Sequence, residues 1–285
     1  MQNTMILFPR YHLFEIGDQS WCPEWMRAYI QSYLTRVWNL HIPPFSKASP
    51  AGVAADLILE HVKDPDSFTF VDLCAGAGGP TGTLEHVLNA KLRAEGRRTA
   101  RFVLTDLHPR LEEWSAISRR QENISFISEP MDAAECERVA PENRKECRIF
   151  NLCFHHFDDM LASTILRKAT ESADSFIIFE FAQRNFTSLL NIPVMLLFPF
   201  WYTLCRYWNS PLHLLFTYVI PLLSLLISFD GLVSTMRCRT PEEIRALLDR
   251  QDMDLSDWEF RSGHRMLFAP FVHIYYYVGV RKEHL

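Results

Sequence analysis

The densest group of residues suited to chemistry is a cluster of glycines. The chain has ten glycines, and four of them, Gly76, Gly78, Gly79 and Gly82, fall within seven residues. They directly follow the apolar segment 68–74, which is typical of a buried strand, and they precede a helical pattern. Glycine lets the backbone approach a ligand closely, because a Cβ atom would block that approach. The pattern therefore predicts a ligand-binding turn between a strand and a helix.

Acidic residues lie at the ends of three predicted strands. Asp72 lies four residues before Gly76, Asp106 ends the second strand, and Asp132 follows the third. A dinucleotide site requires the pattern G-x-G-x-x-G, but the sixth position counted from Gly76 is Thr81. An acid at the position of Asp72 serves a pyrophosphate poorly and suits a cationic ligand. Thr81 and Asp72 therefore disfavour a nicotinamide-dependent reductase.

The segment 71–78 (VDLCAGAG) resembles the first motif of class I S-adenosylmethionine-dependent methyltransferases. The resemblance implies that Asp72 helps to hold the methionine end of this cofactor, that Asp106 accepts hydrogen bonds from both ribose hydroxyls, and that Asp132 receives the adenine amino group. Cys74 departs from the family, which often has glycine there. The cofactor-binding residues implied by the resemblance are Asp72, Cys74, Ala75, Gly76, Gly78, Asp106, Leu107, Asp132 and Ala133.

Two adjacent histidines, His155 and His156, follow the predicted fourth strand. The family resemblance implies that this loop faces the transferable methyl group. Methyl transfer is an in-line displacement, in which a protein positions the acceptor and removes a proton from weakly acidic acceptors. An imidazole suits that proton removal, so we expect His156, or else His155, to be the base; helix capping and packing are the alternative roles. A metal site is not expected, because no third ligand is suitably spaced along the sequence.

Strand-like and helix-like segments alternate around these residues, which favours a parallel sheet with helices on both faces. We predict an α/β, Rossmann-like class I methyltransferase fold with a seven-stranded, mostly parallel sheet, an N-terminal helical cap and an apolar helical insertion. The predicted strands are 68–74, 101–105, 124–127, 148–154, 175–181, 258–261 and 271–280. The predicted helices are 23–40, 83–93, 112–120, 133–139, 158–171 and 240–249.

Residues 185–229 carry a single formal charge, Arg206. The charge-free parts on either side of it, 185–205 and 207–229, are 21 and 23 residues long, close to the ~20 residues with which a helix crosses a bilayer. One hypothesis is a membrane hairpin that turns at 206–211, and the other is a lid over an apolar acceptor. Apolar residues on all helix faces favour the membrane. Both hypotheses indicate a lipophilic substrate.

Composition limits the remaining classes. Hydrophobic residues make up 48% of the 285 residues and charged residues 22%, which excludes a disordered chain. The net charge of -5 provides no electrostatic footprint for nucleic acid, and seven cysteines without a CxxC pair fit a reducing compartment. We expect a cap at 1–62, a cofactor-binding core at 63–184, the apolar hairpin at 185–229 and the end of the core at 230–285.

The sequence thus predicts an S-adenosylmethionine-dependent methyltransferase that acts on a small lipophilic metabolite such as a polyketide or terpenoid. Among the acceptor atoms, oxygen is the one that we favour. We expect it at a membrane with the catalytic domain on the cytosolic side, or in the cytoplasm if 185–229 is a lid. The alternative from another class is a catalytically silent protein that binds S-adenosylmethionine and serves as a membrane-anchored partner.

Overall fold

A seven-stranded sheet forms the centre of the computed structural model, which describes residues 5–251 and 253–282. Its strands are β1 (Phe68–Leu73), β2 (Arg101–Leu104), β3 (Ile124–Phe126), β4 (Lys145–Asn151), β5 (Ser175–Glu180), β6 (Trp258–Phe268) and β7 (Val272–Arg281). Their spatial order is β3-β2-β1-β4-β5-β7-β6. Strands β1 to β5 pair in parallel, and β7 runs antiparallel to both β5 and β6. The predicted mostly parallel seven-stranded sheet is confirmed.

Helices cover both faces of this sheet. They are α1 (Glu24–Trp38), α2 (Pro50–His61), α3 (Thr81–Ala94), α4 (Leu111–Ser118), α5 (Asp159–Ser172), α6 (Phe186–Leu189), α7 (Ile192–Arg206), α8 (Pro211–Leu214), α9 (Leu222–Arg237) and α10 (Pro241–Asp249). β1 is buried along its whole length. Phe68 and Phe70 pack with α2 and α3, whereas Val71 and Leu73 pack with α5 and α10. The alternation of side chains along a strand explains why an unbroken apolar run serves two cores.

Local signals fix the ends of two helices at the positions that the sequence indicates. The Thr240 hydroxyl accepts a hydrogen bond from the backbone of Glu243, and the Glu243 carboxylate accepts one from the backbone of Thr240. This capping box begins α10. The Asp158 carboxylate accepts a hydrogen bond from the backbone of Leu161 and begins α5. Because α5 follows the loop that carries the two histidines, its start also limits the length of that loop.

The helix predicted over 133–139 is wrong. Charged side chains from β4 take the backbone groups that a helix would pair internally. The Glu146 carboxylate accepts a hydrogen bond from the backbone nitrogen of Val139 at 2.6 Å, and Arg148 donates to the carbonyl oxygen of Cys136 at 2.8 Å. Arg148 and Glu146 are themselves fully buried and paired at 2.9 Å. The segment is therefore a loop held against the sheet.

Two predicted strands differ in extent. β4 occupies 145–151 rather than 148–154, because the backbone turns at Leu152, whose φ is +54°, and then forms a 3-10 turn over Phe154–His156. β6 continues to residue 268 instead of ending at 261, since it pairs with β7 along nearly its full length. The shorter β4 places both histidines in the loop beyond the sheet edge.

The apolar insertion contains α6 to α9 and a π-helical turn (Leu215–Val219). α7 and α9 pack against each other and against α1, where Tyr29, Tyr33, Tyr202 and Leu223 form a third core. Within the described residues, one helical stretch, 186–206, is long and apolar enough to cross a membrane; the segments 211–219 and 222–237 would make a second only as one span bent by 71°. Length and composition alone support the membrane prediction only weakly.

Candidate active site

The predicted cofactor residues meet at one edge of the sheet. Asp72 lies in β1, Asp106 and Asp132 follow β2 and β3, and the two histidines follow β4. Because β1 to β4 are parallel, their carboxyl ends point the same way. In open α/β sheets, ligands bind in the crevice outside these ends.

Asp72 is buried, with 1% of its surface exposed. Its carboxylate accepts hydrogen bonds from the hydroxyl of Thr81 and from Nδ2 of Asn151, the latter at 3.0 Å. Burial raises the pKa of Asp72 to about 7; the two hydrogen bonds oppose the rise, and the nearby charge of Asp106 adds to it. A buried acid that holds its proton near neutrality has a strong preference for a cationic neighbour.

Asp106 holds the glycine loop in place. Its Oδ2 accepts a hydrogen bond from the backbone nitrogen of Gly76 at 2.8 Å, and its Oδ1 accepts one from the backbone of His108 at 2.8 Å. The indole nitrogen of Trp114 donates to the carbonyl oxygen of Gly76, also at 2.8 Å. The neighbouring Leu107 is half exposed. Each carboxylate oxygen can accept a further hydrogen bond, so Asp106 retains capacity for hydroxyl donors.

Cys74 adopts the left-handed conformation, with a φ of +62°. The family often has glycine at this position, and the structure gives the reason, since a φ in this region is disfavoured for residues with a Cβ. The loop nevertheless closes: the backbone nitrogen of Ala75 donates to the carbonyl oxygen of Thr105 at 2.9 Å. Gly78 has a φ of +96°, and a Cβ there would lie 2.4 Å from Ile117. Cys74 therefore adopts a left-handed conformation that glycine would reach without a steric penalty.

Asp132 and Ala133 lie in the loop that follows β3, whose last residue is Phe126. The backbone of the preceding Met131 donates to the carbonyl oxygen of Asp106 at 2.9 Å, which ties this loop to β2. Asp132 is exposed and accepts a hydrogen bond from the backbone of Ala134 at 2.8 Å, whereas Ala133 is buried. The exposed carboxylate thus has a fixed orientation at the sheet edge.

His155 is buried between two acids. Its Nδ1 lies 2.8 Å from Oε2 of Glu180, and its backbone nitrogen donates to Oε1 of Glu180 at 3.1 Å. Its Nε2 lies 3.6 Å from Oε1 of Glu15. Burial lowers the pKa of His155, but the carboxylates of Glu180 and Glu15 outweigh burial and the pKa is raised. Since a carboxylate only accepts hydrogen bonds, the Nδ1 of His155 carries a proton.

His156 is one-third exposed and its Nδ1 lies 2.9 Å from Oδ2 of Asp18. The guanidinium of Arg237, at the end of α9, lies 2.9 Å from Asp18 and 3.1 Å from Glu15. Burial raises the pKa of Asp18, but the hydrogen bonds and charges of His156 and Arg237 outweigh burial and lower it to about 2. The two histidines are therefore one part of a larger ionic cluster.

Four members of this cluster were not predicted from the sequence: Glu15, Asp18, Glu180 and Arg237. Glu180 ends the fifth strand, so the rule that placed the other acids at strand ends would have found it. No sequence pattern indicates Glu15, Asp18 or Arg237, because they come from the N-terminal segment and from α9, far along the chain from the histidines.

Three potential metal ligands do meet here, since ligand atoms of Glu15, His155 and His156 lie within 4.8 Å of one another. Arg237 contacts both Glu15 and Asp18 and already places a positive charge between them. A cation added at this position would be repelled by the guanidinium. At Glu15, His155 and His156 the side chains therefore form an ion-pair network with Arg237.

No protein-family model and no curated protein sequence matches the chain. Its structure is similar to that of the plantazolicin methyltransferase BpumL in complex with SAH, with 12% identity, 94% of this chain and 93% of that chain covered, and a TM-score of 0.52. The citrinin polyketide synthase CMeT domain (9% identity, 95% and 60% covered, TM-score 0.49) and the mitomycin 7-O-methyltransferase MmcR (16%, 83% and 55%, 0.46) are more distant. At this identity, the similarity to BpumL shows the fold. The chain therefore has the class I methyltransferase fold that its glycine loop and strand-end acids predict.

Proposed function

We propose that the protein is an S-adenosylmethionine-dependent methyltransferase that acts on a small lipophilic acceptor, with oxygen as the favoured acceptor atom. The observation that carries this proposal is that Asp106 holds Gly76 of the glycine loop beside the buried Asp72, while the loop that carries Asp132 is tied to Asp106 through Met131, all at the carboxyl edge of the parallel strands. S-adenosylmethionine supplies a methyl group activated by its attachment to a positively charged sulfur.

The residues around the loop fit this cofactor. A Cβ atom at Gly76 or Gly79 would enter open space, so the loop borders room for a ligand. The buried carboxylate of Asp72 suits the cationic methionine end, and Asp106 can accept two ribose hydroxyls while holding Gly76. The exposed carboxylate of Asp132 suits the adenine amino group.

His155 is the better placed of the two candidate bases. Glu180 accepts the hydrogen bond from Nδ1–H, so in the neutral ring the lone pair is on Nε2; Nε2 lies 3.6 Å from Oε1 of Glu15, and an acceptor hydroxyl would approach it beside that carboxylate. The Nδ1 of His156 makes the same kind of contact with Asp18, but this pair is about one-third exposed and Asp18 also binds Arg237, so the His156 ring is held less firmly than that of His155. The sequence preference for His156 thus changes to His155, with Glu180 as the positioning residue. Because the pKa of His155 is raised, proton removal by this group should improve as the pH increases.

Apolar side chains beside the cluster support a lipophilic acceptor. Phe14 precedes Glu15 directly, is 56% exposed, and its ring lies 6.1 Å from that of Phe229. Leu13 is also exposed. Exposed aromatic and aliphatic groups next to Glu15 in the chain favour apolar molecules at this part of the surface.

The proposal is tested with methyl-labelled S-adenosylmethionine. Transfer of label to a lipid-soluble extract, together with cofactor binding measured by calorimetry, supports the methyltransferase. Binding without transfer to any extract supports the silent partner protein instead. Absence of binding, with the fold intact by circular dichroism, would overturn both hypotheses.

A further inference from the structure

The insertion presents an extended apolar surface to the outside of the protein. We call the outward side chains of residues 192–229 the apolar face. Its most exposed large members are Leu197, Leu204, Trp208, Val219 and Leu225, each more than half exposed. On α7, the exposed residues Val194, Leu197, Trp201 and Leu204 recur every three to four positions and so share one side of the helix. Monomeric soluble proteins rarely leave extended apolar surface uncovered, so this face marks an interaction site.

The chemistry of the apolar face matches lipid better than protein. The only formal charge in the whole segment is Arg206, whereas protein interfaces have a polar rim with hydrogen-bonding groups. The helical stretch 186–206 is apolar enough to cross a membrane, yet only 28% of its most apolar part is buried. A helix at a protein surface normally has a polar outer side.

Aromatic side chains support the same partner. Trp201 and Trp208, near the end of α7 and just beyond it, are 45% and 68% exposed, and Tyr218 in the π-helical turn is 45% exposed. Tryptophan and tyrosine are enriched where membrane surface meets water.

The packing of the helices argues against a spanning hairpin. The inner side of α7 contacts α1, where the hydroxyl groups of Tyr29 and Thr203 are hydrogen-bonded at 2.8 Å. The C-terminal half of α9 belongs to the catalytic part, since Asp230 accepts hydrogen bonds from the backbone of Ile16 and Gly17, at 2.7 and 2.9 Å. Helices attached in this way to the enzyme cannot both extend across a bilayer.

We propose that the apolar face docks onto one leaflet of a lipid bilayer and inserts its outward side chains without crossing the membrane. This proposal differs from the hairpin hypothesis in how the helices meet the membrane. They lie on one leaflet instead of spanning the bilayer, so that one side of the helix layer contacts the protein and the other contacts lipid. Such monotopic binding increases with the apolar area that is buried among acyl chains. The inference goes beyond the proposed chemistry and does not depend on it.

The test is co-sedimentation of the purified full-length protein with preformed phosphatidylcholine vesicles. We expect the unmodified protein to bind reversibly, and the double variant Leu197→Asp/Leu204→Asp to lose at least tenfold in partition coefficient. Both side chains are exposed, so thermal unfolding should stay unchanged. The control is Met160→Asp, which changes an apolar side chain at the start of α5 that is even more exposed than Leu197 and Leu204 and lies outside the apolar face; this variant should bind vesicles normally.

Three outcomes would overturn the proposal. One is no binding of the unmodified protein to vesicles. A second is equal binding by the double variant. The third is a protein interface: concentration-dependent association in sedimentation velocity without vesicles, abolished by the double variant and not by Met160→Asp. None of these measurements depends on methyl transfer, so their failure is distinct from a failure of the proposed function.

Discussion

Asn151, the last residue of β4, donates its side-chain amide to the carboxylate of Asp72 in the adjacent strand β1 over 3.0 Å. The contact joins Asp72, which lies in β1 just before the glycine loop, to the strand that leads to the histidines. Together with the hydroxyl of Thr81, it favours the ionised form of Asp72, but burial prevails and the pKa stays at about 7. Asp72 is therefore poised to ionise when a cation arrives.

We predict that the affinity for S-adenosylmethionine falls below pH 7. The cationic end of the cofactor prefers the ionised carboxylate, so at lower pH binding must displace a proton from Asp72. The dissociation constant should rise about tenfold for each pH unit below the pKa of about 7 and level off above it. Calorimetry in buffers of different ionisation enthalpy measures both the affinity and the released proton.

The control for this prediction is Asp72→Asn, which keeps the size of the side chain and removes its titration. This variant should bind more weakly at pH 8 and show no slope between pH 5.5 and 7. The free energy of unfolding of the free protein also changes: the folded state holds the proton more tightly than the unfolded chain, so stability falls as the pH rises towards about 7. If the dissociation constant of Asp72→Asn for S-adenosylmethionine depends on pH as steeply as that of the unmodified protein, the assignment of this dependence to Asp72 is wrong.

Asp106→Ala should nearly abolish cofactor binding. The variant loses the acceptor for the ribose hydroxyls and also the hydrogen bond from the backbone of Gly76. We expect a loss of about 2–4 kcal/mol of binding free energy, measured by calorimetry. Asp249→Ala, at an exposed ion pair with Arg245 in α10, is the control and should bind normally. If Asp106→Ala retains full affinity while folded, the ribose assignment is wrong.

His155→Ala should lower kcat by about 10²–10⁴-fold and leave cofactor affinity intact. His156→Ala should cost less, because the contact of His156 with Asp18 is about one-third exposed and Asp18 is shared with Arg237. The raised pKa of His155 predicts an acid limb of the kcat profile that lies above the ordinary histidine range. Glu180→Gln should shift this limb to lower pH, an effect that a purely packing residue would not produce. Near-normal turnover of both alanine variants would exclude base catalysis.

Cys74→Gly should yield a more stable protein than Cys74→Ala. Both substitutions remove the thiol, but alanine keeps a Cβ in the left-handed conformation at φ +62°. We expect a difference of about 1 kcal/mol in the free energy of unfolding, reduced in part by the greater freedom of glycine in the unfolded chain. Denaturant titration measures it. Greater stability of the alanine variant would show that the loop relaxes around the residue.

The core of the fold was predictable because each signal in it is local. Apolar runs mark the strands, the capping box at Thr240 starts α10, and the glycine cluster marks the loop after β1. The failures have long-range causes. The helix predicted over 133–139 does not form, because the buried side chains of Glu146 and Arg148 in β4 bind the backbone of that segment. No window of sequence contains that competition.

The same contrast between local signals and long-range contacts holds for the candidate site. Asp72, Asp106 and Asp132 were found because each follows or ends a strand, a position that the sequence shows directly. The partners of the histidines were not, since Glu15 lies 140 residues before His155 and Arg237 comes from the far end of the insertion. The sequence therefore predicted the strand-end acids of the proposed cofactor site and not the ionic cluster around the histidines.

The way in which the N-terminal segment is attached has a consequence for local unfolding of the native protein. The Arg10 side chain donates to the carbonyl oxygen of Arg237 across 227 positions of sequence, and the backbone of Ile16 reaches Asp230 across 214. The described residues 5–23 form no helix or strand and leave several large side chains exposed, so this segment should open at a lower free energy than the sheet. In native-state hydrogen exchange, the amides of Ile16 and Gly17 should therefore lose protection well before those of β1, and each such opening would dismantle the cluster around His155 while the sheet stays folded.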